Sequence, residues 1–390
     1  MNHEPKTHRS IRIILLLPIL FLRPKIDRAP GWRYRSPTSA RSSYLTALWL
    51  GCGLAASLLL VRVVAGYLPS RSLAALSNST FLPLVMTNQG GSASVFRGLL
   101  FGLGPEADQA VQSPLVLNSQ AKILTCWFNR SADLSLFRYW YESGKIAGWW
   151  SRSYVLHVIT WEQPTTDPPT PYHVSPKYVA DMAQLAGYLA GPNDGRHVVL
   201  FSLATEFQTF VQPNNVHNSQ TGGYYDRLQS NLLQARDRIK SFAANALVSF
   251  SWGGWQTRWD APADGGGLSM IPFFAQTMQQ MDFISFQAME RTYPVNVENI
   301  KCNCDVFRQY NPHLMVSHYK PDYIAGDPTS MQQARDTLNA EVKDIFTPSF
   351  ISYVHDRGLF GFSFMSEELI LTDQESQPII DGMNTYTILP

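Results

Sequence analysis

Cysteine and charge are both scarce in this sequence. Its 390 residues include four cysteines, and charged side chains make up 16% of the chain. Cys52 lies in an apolar run, and no histidine or second cysteine pair stands at zinc-site spacing around Cys126, Cys302 and Cys304. We therefore predict no metal site and no cofactor, while a disulfide from Cys126 to Cys302 or Cys304 stays open.

Basic residues are few outside the N-terminus. Of the 31 Lys and Arg residues, eleven lie in residues 1–71 beside only two of the 30 acids, which leaves 20 basic and 28 acidic residues in 72–390. A mildly acidic body offers no basic surface to a phosphate backbone. We therefore expect no nucleic-acid partner, and the sequence leaves the oligomeric state open.

Long apolar runs are absent except near the N-terminus. Residues 11–22 are too short to span a bilayer, whereas residues 44–68 are mostly apolar and are interrupted by Arg62. Basic residues precede this run, so the positive-inside rule keeps the N-terminus in the cytoplasm and exports the part of the chain after the run. We predict a basic cytoplasmic segment (1–43), a transmembrane signal anchor or signal peptide (44–68), a flexible linker (69–94) and an extracellular or cell-surface domain (95–390), membrane-anchored or secreted.

Strand-like apolar runs alternate with helical patterns through the rest of the chain. Strands are predicted near 95–103, 122–129, 154–161, 197–205, 246–252, 281–288, 313–319 and 358–365. Helical spacing of apolar residues covers 175–190, 224–244, 271–280 and 330–357, and Pro348 divides the last of these. Alternation over about 290 residues predicts a single (β/α)8 (TIM) barrel domain, with residues 370–390 packed across it.

Two of these strands end in a glutamate that shares a strand face with small residues. Ser202 and Ala204 precede Glu206 at alternate positions, and Ser363 precedes Glu367 in the same way. Successive side chains of a strand point to opposite faces. Small side chains suit the crowded interior of a barrel, so we expect both glutamates to face its axis at the mouth, where such barrels carry their active sites.

The same alternation predicts which polar and aromatic residues line the mouth. His157 and His318 fall on outward positions and are expected to be core histidines. The inward strand ends are Asn129, Glu162, Glu206, Gly253, Gln287, Tyr319 and Glu367. Rings at strand ends can stack on sugars, so the predicted substrate-binding residues are Asn129, Trp161, Trp252, Trp255, Gln287 and Tyr319. A tight turn flanked by core tryptophans is an equal alternative for Trp252 and Trp255.

Paired carboxylates without a metal motif or a nucleophilic serine or cysteine are typical of glycoside hydrolysis. One carboxylic acid protonates the leaving oxygen, and the other attacks the sugar or activates water. Glu206 and Glu367 are the predicted pair, with Glu162 in reserve. A structural ion pair for Glu206, a solvated position for Glu367 and a loop-anchoring role for Glu162 remain alternatives.

Short segments of the chain resemble the clan of retaining glycosidases that fold as (β/α)8 barrels, glycoside hydrolase family 26 above all. Residues 199–206 are similar to the strand 4 of that family, which carries the acid/base glutamate, and residues 281–287 are similar to its strand 6. The resemblance implies a carbohydrate substrate and the acid/base role for Glu206. It fails at strand 7, residues 314–320, where the clan has its nucleophile and this chain has no acid.

We therefore expect an exported glycoside hydrolase-like barrel that cleaves a polysaccharide or oligosaccharide. The alternative is a catalytically inactive carbohydrate-binding barrel at the cell surface, which the missing acid on strand 7 favours. Membrane contact is expected only through an uncleaved N-terminal segment.

Overall fold

The structure is a computed structural model that describes residues 91–162, 174–207, 222–259, 270–365, 367–370 and 373–390. The predicted segments 1–43 and 44–68, residues 69–90 of the predicted linker and the side chain of Glu367 lie outside the described residues. Among the helices that are described, none is long and apolar enough to cross a membrane.

Eight parallel strands close into a barrel in chain order, and β8 pairs with β1. The strands are β1 Leu100–Gly104, β2 Ile123–Phe128, β3 Val155–Thr160, β4 Val199–Leu203, β5 Ala246–Trp252, β6 Ile284–Ala288, β7 Leu314–Tyr319 and β8 Leu359–Met365. This closed parallel topology, with helices between the strands, confirms the predicted (β/α)8 barrel.

The first strand begins later than the sequence predicts. Gly91–Arg97 form a 3-10 helix, so the last residues of the predicted linker belong to the folded domain. The backbone N–H of Ser92 donates to Asn193 Oδ1 (2.6 Å), which ties this helix to the segment before β4. Val95 does not lie in a strand. Its apolar side chain packs with Leu100 and Phe360 inside the N-terminal end of the barrel, which explains the apolar residue at this position.

Helices connect the strands. They are α1 Ala107–Ala110, α2 Pro114–Leu117, α3 Leu134–Glu142, α4 Lys145–Ser151, α5 Pro176–Tyr188, α6 Gly222–Phe242, α7 Gln256–Trp259, α8 Ala275–Gln280, α9 Val295–Phe307, α10 Pro328–Ile345, α11 Pro348–His355, α12 Glu367–Ile370 and α13 Asp373–Tyr386. The break at Pro348 is confirmed, whereas α1–α4, α7, α9, α12 and α13 were not predicted. The C-terminal residues do not pack across the barrel: α13 packs beside α2 and α10, and Ile388 pairs with Leu99 just before β1.

Four helices begin at a proline that follows a capping side chain. Ser113, Ser175, Asp327 and Thr347 each accept a hydrogen bond from a backbone N–H of the first turn of the helix. Proline suits the first helical position because the N–H it lacks would have no intrahelical partner there. Local sequence therefore fixes where α2, α5, α10 and α11 start.

Large and small side chains separate onto the two faces of the barrel wall. Phe201, Phe250 and Phe362 belong to the core between strands and helices. The alternating small residues face the axis, as shown by the pair Ser251 Oγ and Ser317 Oγ (2.9 Å), which meet across the barrel interior from β5 and β7. The inward position predicted for Ser251 and Ser317 is confirmed.

His157 lies inside the barrel, contrary to the outward position predicted for it. Its Nδ1 bonds Thr125 Oγ1 (3.1 Å) and its Nε2 bonds Ser202 Oγ (2.9 Å), while Thr125 Oγ1 also bonds Ser363 Oγ (2.6 Å). Burial lowers the pKa of His157 to about 3, so the imidazole stays neutral. This polar chain links β8, β2, β3 and β4 below the mouth.

Candidate active site at the barrel mouth

Glu206 lies at the C-terminal mouth of the barrel, on a sharp turn after β4. Ala204 and Glu206 have φ angles of 48° and 59°, in the left-handed region that non-glycine residues rarely adopt. Ala204 is fully buried, and the buried ring of Phe207 packs against Trp252 (4.9 Å between ring centroids). Core packing on both sides therefore holds the strained turn and leaves the Glu206 side chain half-buried.

Gln287, near the end of β6, contacts this turn from across the mouth. Its Nε2 donates to Thr205 Oγ1 (2.8 Å), and its side chain also hydrogen-bonds the Glu206 carboxyl. Burial raises the pKa of Glu206, while the Gln287 hydrogen bond and the charge of Lys320 act in the opposite direction. A carboxyl with a raised pKa keeps its proton to higher pH, as a general acid requires.

Two charged residues beyond the end of β7 also act on Glu206. Lys320 stands directly after the strand, and its positive charge lowers the pKa of Glu206, whereas the negative charge of Asp322 raises it. Arg291 donates to Asp322 Oδ2 from Nε (3.0 Å) and from Nη2 (2.8 Å). Asp322 is thus an acid at the mouth that sequence reasoning missed, because it lies beyond the end of the strand.

Glu290, in the loop after β6, is a further carboxyl near these charges. Burial raises its pKa and the charge of Asp322 adds to the rise, while Arg258 and Arg291 oppose it. The Asn296 side chain forms two hydrogen bonds with the Glu290 backbone. Glu290 N donates to Asn296 Oδ1 (2.6 Å), and Asn296 Nδ2 donates to Glu290 O (2.9 Å). No sequence pattern points to Glu290, since it does not stand directly after a strand.

Behind this loop lies a buried carboxyl, Glu341 on α10. Its Oε2 accepts from Asn296 Nδ2 (2.9 Å) and from Tyr319 Oη (2.8 Å), and its Oε1 accepts from Asn296 N (3.2 Å). Glu341 is fully buried, and burial raises its pKa to about 7 despite these hydrogen bonds. The three residues join β7, α9 and α10 outside the barrel wall.

Tyr319 therefore does not face the barrel axis, and the prediction that it does is wrong. Its ring lies in the outer core against Phe362 and Phe364, with centroid distances of 5.3 and 5.2 Å. The physical reason is a shift of register in β7: Phe286 pairs with Val316, but Gln287 pairs with His318. One extra residue inverts the side-chain alternation, so Tyr319 points outward.

Trp252 also lies away from the mouth. It is fully buried in the outer core, where its ring stacks on Phe307 (5.6 Å between centroids, 24° between planes). The next residues form a tight turn, since a Cβ at Gly254 would lie 2.1 Å from Gln287 O. The core-tryptophan alternative is therefore correct for Trp252, whereas Trp255 is half-buried just before α7.

The remaining predicted sugar-binding residues stand after β2 and β3. Asn129 is half-buried, and its backbone N–H donates to Asp133 Oδ2 (2.8 Å). Trp161 is half-buried and packs against the outer core, and its backbone N–H donates to Phe128 O (2.8 Å). Their roles in sugar binding stay predictions.

The two other predicted catalytic carboxylates are Glu162, after β3, and Glu367, after β8. Glu162 accepts hydrogen bonds from both the backbone N–H (2.8 Å) and the hydroxyl of Ser175, the residue that caps α5. This geometry corresponds to the loop-anchoring alternative, and its catalytic reserve role stays a prediction. Glu367 begins α12, but its side chain and its distance from Glu206 lie outside the described residues.

No side-chain cluster in the described ranges is built like a metal site: no group of three or more His, Cys, Asp or Glu residues could hold an ion there. Cys126 on β2 and Cys302 and Cys304 on α9 are free thiols, so the disulfide left open by the sequence is not formed. Burial raises the pKa of Cys126 and of Cys304 far above the range of a reactive thiol.

Comparisons with known proteins find similarity at the level of structure. No family model and no curated protein sequence matches the chain. The GH26 β-mannanase BoMan26A from Bacteroides ovatus is similar over 76% of this chain and 92% of its own, with 10% identity and a TM-score of 0.47. A psychrophilic family 10 endo-β-1,4-xylanase is 12% identical over 71% of this chain and 88% of its own, with a TM-score of 0.44. GH26A from Muricauda sp. MAR_2010_75 is 12% identical over 75% of this chain and 90% of its own, with a TM-score of 0.43. Family 26, which the sequence resembles, is thus among the solved structures to which this barrel is remotely similar.

Proposed function

We propose that this chain is a glycoside hydrolase and that Glu206 is its general acid. The observation that carries the proposal is a half-buried carboxyl at the C-terminal end of β4 whose pKa is raised by burial. Hydrolysis of a glycosidic bond needs such a group to protonate the departing oxygen. The Gln287 hydrogen bond contributes to holding the carboxyl at the mouth.

The second carboxylate of the proposed mechanism is Glu367 or Asp322. The sequence favours Glu367, at the end of strand 8. The contacts favour Asp322, because its charge acts on Glu206 and because Arg291 holds only one of its two oxygens, Oδ2. This carboxylate would attack the sugar or activate a water molecule opposite the acid.

The second candidate function is a catalytically inactive barrel that binds carbohydrate. Lys320 supports it, since a cation stands after β7 where the resembling clan has its nucleophile. Comparing hydrolysis with binding distinguishes the two: an inactive barrel would bind a polysaccharide without releasing shorter products.

Export of the barrel belongs to the same proposal. It rests on the apolar run 44–68 and the basic residues before it. Protease treatment of intact cells that produce the full chain tests it, because an exported barrel is digested from outside while a retained one is protected.

The catalytic proposal is tested with the purified full chain and a panel of polysaccharides that includes mannan and xylan. We expect Glu206→Gln to lose hydrolysis of whichever polysaccharide the wild type cleaves. Asp322→Asn and Glu367→Gln identify the second carboxylate. The substitution at the catalytic partner of Glu206 should lose hydrolysis to a degree similar to Glu206→Gln, and the other substitution should not. Hydrolysis that survives Glu206→Gln unchanged would remove Glu206 from its role.

A further inference from the structure

One face of α10 holds the loop that follows β6. Thr337, Glu341 and Asp344 stand four and three positions apart, a spacing that brings side chains to the same face of a helix. Each of the three forms a hydrogen bond with residues 290–296, which are the loop and the first turn of α9. Three contacts from one helix face therefore determine where this loop lies.

The two outer contacts of this face are direct. Thr337 Oγ1 donates to Arg291 O (2.9 Å), and Tyr293 Oη donates to Asp344 Oδ2 (2.8 Å). Thr337 is buried, whereas Tyr293 and Asp344 form their contact at the surface. A hydrogen bond from a buried group is stronger than one that competes with water, so Thr337 is the firmer of the two contacts.

The central contact runs through Asn296. Glu341 accepts hydrogen bonds from the backbone and the side chain of Asn296, and that side chain also forms its two hydrogen bonds with the Glu290 backbone. Burying a carboxyl is unfavourable. An apolar side chain in place of Glu341 would be easier to bury, but it could not hold Asn296. The buried carboxyl therefore fixes the Glu290 backbone through Asn296.

Tyr319 joins the same carboxyl to β7. Its hydroxyl reaches Glu341 Oε2 because the register shift turns the Tyr319 side chain outward. The same shift turns His318 inward, contrary to the outward position that the sequence predicts. The His318 ring meets Trp127 of β2 (5.2 Å between ring centroids), although β2 and β7 are not neighbouring strands. Glu341 thus ties the loop after β6 to the strand that precedes Asp322.

The loop in turn holds an acid at the barrel mouth. Arg291 donates to Asp322 Oδ2 from two nitrogens, and the side chains of this pair are 41% and 35% exposed. Ion pairs that are exposed to this degree hold their partners only weakly. The position of Asp322 therefore depends on how firmly the backbone of Arg291 is held, and Thr337 holds that backbone.

We propose that Thr337 and Glu341 are positioning residues of the barrel mouth, which act through the loop after β6 to set where Arg291 holds Asp322. The inference rests on the proposed function, because Asp322 is a candidate there for the second carboxylate. Its negative charge also raises the pKa of Glu206. Substituting Thr337 or Glu341 should therefore change the mouth through the position of a charge, and not through a lost contact with the sugar.

Amide hydrogen exchange of the purified full chain tests whether α10 holds the loop. Thr337→Val keeps the shape of the side chain and removes its hydroxyl. We expect exchange across residues 289–294 to become about tenfold faster, as for the loss of one hydrogen bond. Glu341→Gln replaces an acceptor oxygen by a donor and should also speed exchange there. Thr277→Val is the matched control, since Thr277 is a buried threonine on α8 that donates to Gln229.

The pKa of Glu206 is the readout that a purely structural role would not move. It is measured by ¹³C NMR of carboxyl-labelled glutamate, and the Glu206 signal is assigned by its loss in Glu206→Gln. A displaced Asp322 raises this pKa less. The pKa of Glu206 should therefore be lower in Thr337→Val and in Glu341→Gln than in Thr277→Val, by part of the shift that Asp322→Asn produces.

The outcomes keep this positioning role apart from hydrolysis. Equal exchange of residues 289–294 in Thr337→Val and Thr277→Val, or a pKa of Glu206 that neither α10 variant lowers, would overturn the positioning role. If the wild type hydrolyses no polysaccharide while Thr337→Val lowers the pKa of Glu206, the positioning role stands and the hydrolytic function falls. If Glu206→Gln abolishes hydrolysis while both α10 variants leave the pKa of Glu206 unchanged, the function stands and the positioning role falls.

Discussion

Replacing the buried carboxyl of Glu341 by an amide should change how the free energy of unfolding depends on pH. Burial raises the pKa of this group from 4.5 to about 7 in the folded protein. The folded state therefore binds the proton more tightly than the unfolded chain does. The resulting stabilisation is fully present below about pH 4.5 and is lost as the pH rises through about 7.

The shift in pKa sets the size of the effect. A difference of about 2.5 between the two pKa values corresponds to about 3 kcal/mol, at roughly 1.4 kcal/mol for each unit. In Glu341→Gln no proton titrates at this position. The free energy of unfolding of the wild type minus that of the variant should therefore fall by about 3 kcal/mol as the pH rises from below about 4.5 to above about 7. Tyr319 does not contribute, since its pKa lies well above its ordinary value.

Urea denaturation of both proteins at a series of pH values measures this difference, with the free energy extrapolated to zero urea. Glu298→Gln, on the exposed face of α9, is the matched control for replacing a glutamate by glutamine. A wild-type advantage over Glu341→Gln that stays constant with pH, or that grows as the pH rises, would refute the reasoning.

Three other substitutions test the packing by urea denaturation. Trp252→Ala should lower the free energy of unfolding by about 3–5 kcal/mol, because it empties a fully buried site in the outer core; a loss as small as that of half-buried Trp255→Ala would contradict this assignment. Ser175→Ala removes the cap of α5 and should cost about 1 kcal/mol, and no loss would show that the cap is dispensable. Gly358→Ala puts a Cβ 1.8 Å from Pro312 O at a φ of 90°, whereas Gly326→Ala, at a φ of 82°, meets nothing within 4 Å. The first should therefore destabilise by at least about 2 kcal/mol more than the second, and equal losses would count against the close approach.

The barrel was predictable because its signals are local and repeated. In β4 and β8, bulky residues alternate with serine and glycine, and toward the C-terminal ends of the strands this alternation separates the outer core (Phe201, Phe362) from the interior (Ser202, Ser363). Capping residues before a proline mark helix starts such as Pro176 and Pro348. Gln287 was placed correctly at the mouth for the same reason, since its strand carries Ser285 on the same face.

The errors have a common physical cause, which is that local alternation does not encode register. Nothing in the segment 314–319 reveals the extra residue that turns Tyr319 outward and His318 inward, because the shift depends on pairing with β6 and on the distant Glu341. Trp252 looked like a platform because it ends a strand, although its ring partners Phe207, Phe274 and Phe307 come from three other parts of the chain. Asp322 was missed because its position depends on Arg291 in another loop.

The sensitivity of Glu206→Gln to the leaving group tests the central claim most directly. The sugar is the one that the wild type releases from a polysaccharide, and two substrates are compared: the polysaccharide itself and the 2,4-dinitrophenyl glycoside of that sugar. A dinitrophenolate departs without protonation, whereas a sugar hydroxyl needs the acid. We expect the variant to lose roughly 10²–10⁴-fold in kcat/KM on the polysaccharide and far less in kcat/KM on the aryl glycoside, since kcat/KM reports the step in which the leaving group departs. Equal losses on both substrates, or no loss on the polysaccharide, would contradict the assignment of Glu206 as the general acid.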